Sequence, residues 1–125
     1  MQLCEIRPGE PVNLNTERLE EICNQLGYSG GETAICAAME DLATMLHQAK
    51  TLWASNDFGA LHATARQVAL VADRIGMAGL AQVAGNVRQL SDGRDAAALA
   101  ATIARMRRLG EQSLLAIWDR QDLRL

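Results

Sequence analysis

The sequence predicts an all-α protein, an antiparallel up-down four-helix bundle with a short leading helix and an extended N-terminal arm. Three observations carry this expectation. Apolar residues recur in alternating steps of three and four, the spacing of one helix face. Both prolines, Pro8 and Pro11, fall in the first twelve residues, so the strongest helix breaker is missing from everything downstream. β-Branched residues are few and apolar–polar alternation never persists, which removes the strand signal. A chain of 125 residues suits one domain. Residues 1–13 read as an arm, with Pro8-Gly9 as a turn, residues 14–120 as the bundle, and 121–125 as a C-terminal tail.

Five helical segments follow in order. The first begins near Asn15, a good N-cap, has Glu17 in its first turn, and stops at Gly27. The second starts at Ser29, with Glu32 three residues on as the partner of a capping box. Its stripe is Ile35, Met39, Leu42, Leu46, Ala49 and Trp53. The third starts at Asn56 or Asp57, buries Leu61, Ala65, Val68, Ala72 and Ile75, and ends or bends at Gly76. The fourth presents Leu80, Val83, Val87 and Leu90, and breaks at Ser91-Asp92-Gly93. The fifth, capped by Asp95, presents Leu99, Ile103, Met106, Gly110 and Ile117. Four long amphipathic helices with tight connections pack as antiparallel neighbours, and the short first helix lies over one end.

Composition narrows the function. Apolar residues at 49% and charged residues at 22% suit a folded globular domain. The net charge of −3 argues against a nucleic-acid partner, which selects a basic face. The Arg105, Arg107, Arg108 cluster reads as a solvated helix face. No run approaches the roughly 20 apolar residues of a membrane span, and no secretory h-region follows Met1, so a cytoplasmic location without membrane contact is expected. Cys4, Cys23 and Cys36 are odd in number and lack paired spacing, so they read as thiols rather than metal ligands. A di-metal bundle needs Glu-x-x-His pairs, but Thr44 precedes His47 and Gly59 precedes His62 at that spacing. No phosphate-cradling glycine loop or Ser-His-Asp arrangement stands out. A helix-turn-helix reading of Val71 through Gly76 to Val83 puts Gln82 at a position that should be buried. Neither an enzyme nor a cofactor is expected.

The third segment holds the most specific pattern. Asp57, Phe58, Leu61, Ala65, Val68, Gly76 and Leu80 with Ala81 fall in one register. This resembles the phosphorylated helix of histidine phosphotransfer (Hpt) domains, and the helix plan of residues 14–118 is similar to theirs. The resemblance implies a phosphorelay bundle that docks response-regulator receiver domains. It also implies a phospho-accepting histidine, a phosphate-neutralising lysine three residues later and a glycine after that. Those places hold Arg66, Ala69 and Leu70. A guanidinium stays protonated and offers no nucleophilic lone pair, so Arg66 cannot carry phosphate as an imidazole does. A fold does not bring its chemistry with it.

The expected function is therefore a degenerate Hpt-like protein that has lost phosphotransfer. It binds a receiver, or a hybrid kinase's receiver, through His62, Arg66, Leu70 and Asp73, which share one helix face. Two alternatives remain open. His62, one turn before Arg66, is a displaced phosphorylation site in a working phosphotransfer protein, or an exposed surface histidine. The chain is otherwise a general helical interaction or dimerisation module, and homodimerisation is left open. Trp53 and Trp118 are expected at bundle ends, His47 at the surface, and Met39, Met45 and Met106 in or near the core.

Overall fold

The computed structural model describes residues 14–92 and 94–124. The expected arm, with Cys4, Pro8 and Pro11, lies outside the described residues. Among the described residues there are four helices and no strand. They are α1 (Thr16–Ala54), α2 (Phe58–Arg74), α3 (Ala78–Leu90) and α4 (Ala96–Arg124). Each of α1 and α3 packs on both α2 and α4, while the diagonal pairs do not approach. This closed ring of neighbours is that of a helical bundle. No helix of the described residues is long and apolar enough to cross a membrane.

Two predicted segments make up α1, broken at Gly27. Its φ of 80° and ψ of 162° belong to a region essentially reserved for glycine. The expected capping box does not form there. Gly27 is the one non-helical residue inside α1, so Ser29 already lies in the helix, and its carbonyl accepts from Thr33 Oγ1 at 3.0 Å. Past the break the two segments press together. A Cβ added to Gly31 would sit 2.6 Å from Cys23 Cα, so only glycine permits this approach. The leading segment buries Leu19 and Ile22 in the common core.

Several helix ends are closed by residues of the connections themselves, which keeps the connections short. Asn56, at φ 60°, takes the left-handed position that ends α1, which asparagine tolerates. Its N–H donates to the Trp53 carbonyl (3.1 Å), and the Asp57 N–H donates to that of Leu52 (2.9 Å). This is the Schellman pattern. Asp57 then caps α2, its Oδ1 accepting from the Ala60 N–H at 3.2 Å. Gly76, at φ 81°, repeats the pattern at the end of α2: its N–H donates to Asp73 and the Met77 N–H to Ala72. Asp95 caps α4 through the Ala98 N–H at 3.0 Å.

The core follows the predicted stripes. Leu42, Leu61, Val68, Leu80, Val83, Val87, Leu99, Met106 and Ile117 are almost wholly buried. Trp53 sits at the end of its stripe and is exposed, Met39 and Met45 are half-buried, and Leu90 is half-buried beside the core. Met77 is fully buried, although its place between two helices hides it from any periodic pattern. At Gly110 a Cβ would collide with Leu46 Cδ1, so α4 and α1 meet closely there. The helix of α4 continues to Arg124, through most of the stretch expected as a tail.

The leading segment is anchored at the α2–α3 corner. The Asn15 N–H donates to the Gly76 carbonyl at 2.7 Å, Leu14 bridges Met77, and Arg18 Nε donates to the Arg74 carbonyl at 3.0 Å. A Cβ on Gly76 would lie 2.7 Å from the Asn15 carbonyl oxygen. Gly76→Ala therefore combines backbone strain with a backbone collision and is expected to cost about 2–3 kcal/mol. Gly85→Ala, in α3 with nothing within 4 Å of the new Cβ, should stabilise by about 0.5–1 kcal/mol. Urea denaturation of the two variants checks both signs.

Candidate functional site

The outer face of α2 is the candidate site. Asp57 fixes where the helix starts and Gly76 where it ends, so the register of every residue between them is set. Leu61, Ala65, Val68 and Ala72 turn into the core and are at most marginally accessible. The 3.6-residue repeat then forces His62, Arg66, Leu70 and Asp73 outward. All four are exposed, and Leu70 keeps 47% of its surface accessible. The structure thus brings the predicted stripe together on one face, with His62 and Leu70 each about 6 Å along the axis from Arg66.

The Arg66 side chain has no hydrogen bond or ion pair among the described residues. The two ion pairs found there are Arg18–Glu21 at 3.1 Å and Arg94–Asp92 at 3.5 Å, and neither involves the stripe. Its neighbours one turn away on α2 are His62, Ala63, Ala69 and Leu70, with no carboxylate among them. Asp73 is two turns on. Beside the stripe, Gly59, Ala63 and Gln67 are also exposed, and a Cβ at Gly59 would meet nothing within 4 Å. Gly59 and Ala63 are small, so the side of the stripe next to His62 carries little side-chain bulk. Sequence reasoning passed over this second row, although it follows the same four-residue step.

Ala69 is half-buried and packs beside the core, so its place offers no charge toward Arg66. His62 and His47 are both exposed. Cys23 and Cys36 are half-buried thiols, and no group of three or more His, Cys, Asp or Glu suited to a metal ion occurs among the described residues. Hollows occur elsewhere: one of about 250 Å³ at the α1–α2 corner, lined by Trp53, Asn56, Phe58 and Leu99, and one of about 420 Å³ along Ser29, Thr33, Cys36 and Glu40. Neither reaches Arg66. The stripe, with a cation that has no ion pair among the described residues and a half-exposed leucine, lines neither of these hollows and encloses no small molecule.

Because the stripe contributes nothing to the core, Arg66→Ala and Leu70→Glu should each change stability by no more than about 0.5 kcal/mol. Leu61→Ala, on the opposite face and fully buried, should cost about 2–5 kcal/mol. Thermal and urea unfolding of the three variants distinguish the faces. Compared with protein-family models, with curated proteins and with solved structures, the chain matches none.

Proposed function

We propose that this protein is a cytoplasmic, Hpt-like signalling module, its helices in antiparallel up-down order, that docks a receiver domain without accepting phosphate. The observation that carries the reading is Arg66: an exposed guanidinium in mid-helix with no ion pair among the described residues, flanked one turn away by exposed His62 and Leu70. Receiver active sites are clusters of carboxylates around a phosphorylatable aspartate. A guanidinium matches a carboxylate or a phosphate with two parallel charge-assisted hydrogen bonds. Leu70 supplies apolar contact at the rim, and Asp73 adds a negative charge that helps to fix orientation. Ala69 and Leu70, standing where the resemblance implies a lysine and a glycine, suit docking better than phosphoryl transfer.

The test is binding of the purified protein to receiver domains, measured by calorimetry beside Arg66→Ala and Leu70→Glu. An arginine at the centre of an interface is worth about 2 kcal/mol, so Arg66→Ala should weaken binding about 30-fold. Saturable binding that neither variant weakens would exclude this face. Absence of binding to any receiver would leave a general interaction module.

The exposed ring of His62 supports a second reading, in which it accepts phosphate with Arg66 one turn away to neutralise the charge. Incubation with a phosphorylated receiver would then transfer label to the protein, and His62→Gln would abolish it. The first reading expects no label on either form.

A further inference from the structure

The outer face of α4 carries a pattern that the α2 stripe does not explain. Ala101, Ala104, Arg108, Glu111, Leu115 and Trp118 succeed one another in steps of three, four, three, four and three. That spacing draws a single seam along a helix. All six are exposed, and Leu115 and Trp118 keep 55% and 54% of their surface accessible. The seam lies opposite the buried row of Leu99, Ile103, Met106, Gly110 and Ile117. Core packing therefore has no use for it. Two large apolar side chains on this face leave more than half of their surface accessible in the isolated chain.

The order of residues along the seam has a symmetry. A two-fold axis crossing α4 between Leu109 and Gly110 exchanges Ala101 with Trp118, Ala104 with Leu115, and Arg108 with Glu111. Each exchange sets unlike against unlike: an indole over a methyl, a leucine over a methyl, and a cation facing an anion. Neither Arg108 nor Glu111 forms an ion pair among the described residues. We propose that the α4 seam pairs with the same seam of a second copy of this chain, antiparallel, in an isologous homodimer. A parallel, in-register pair would put Arg108 on Arg108, Glu111 on Glu111 and Trp118 on Trp118. Large residues over small ones let two helices come close, and the Arg108–Glu111 pairs select the direction.

The seam from Ala101 to Trp118 is about 26 Å long, so a contact along it falls at the small end of specific interfaces. The dimer is accordingly concentration-dependent. It leaves the outer face of α2 out of the contact, so it does not depend on the receiver-docking reading.

Sedimentation velocity on the full chain, across about 1–200 µM, tests the proposal. The wild type should pass from monomer to dimer over that range. Arg108→Glu and Glu111→Arg, each alone, set like charges together twice per dimer and should weaken association at least tenfold. The double variant Arg108→Glu/Glu111→Arg should restore it, and an equimolar mixture of the two single variants should dimerise better than either alone. Ala104→Glu should give a monomer with unchanged helical circular dichroism. A wild type that stays monomeric throughout would overturn the proposal. So would a dimer that is indifferent to the single charge reversals.

Discussion

The 2.7 Å hydrogen bond from the Asn15 N–H to the Gly76 carbonyl holds the two halves of the chain in register. It joins residues far apart in sequence, and it exists only because Gly76 lacks a side chain where the Asn15 backbone passes. The same asparagine caps α1 through the Arg18 N–H, and Arg18 in turn caps the Arg74 carbonyl at the end of α2. One corner therefore settles the start of one helix, the end of another and the placement of the leading segment over the bundle. With Leu14 and Met77 paired there, Leu19 and Ile22 enter the common core.

Much of this was legible in the sequence because it is local. Asn15, Asp57 and Asp95 announce three helix starts by side-chain chemistry, and all three accept the expected backbone hydrogen bond. The stripes on α2 and α4 were legible because a 3.6-residue period leaves few choices for Leu61, Val68, Leu99 or Met106. Ser29 misled because it has the composition of a cap, while Gly27 broke the helix two residues earlier with a backbone shape that serine cannot take. Met77 was missed because its burial comes from the tertiary corner. The contacts at Gly31 and Gly110 likewise depend on which segment passes by, and nothing next to them in the chain states this.

The candidate site was legible in a different sense. Periodicity alone put His62, Arg66, Leu70 and Asp73 on one face and outside the core, and the structure has them there. What periodicity could not supply was whether another element brings a partner to Arg66. That no carboxylate among the described residues pairs with it is a property of the folded surface, as is the open space over Gly59. The first of these leaves the Arg66 charge unbalanced by any ion pair among the described residues.

Both ends of α2 are held without help from its outer face: Asp57 closes one, while Gly76 and Arg18 close the other. The helix keeps its place with any residue a helix interior tolerates at positions 62, 66 and 70. The scaffold and its address are thus written in separate sets of letters, and the second can be rewritten while the first is preserved. Mutational drift should scatter those three positions freely unless something outside the molecule holds them. If they stay constant across relatives, the cause cannot be the fold.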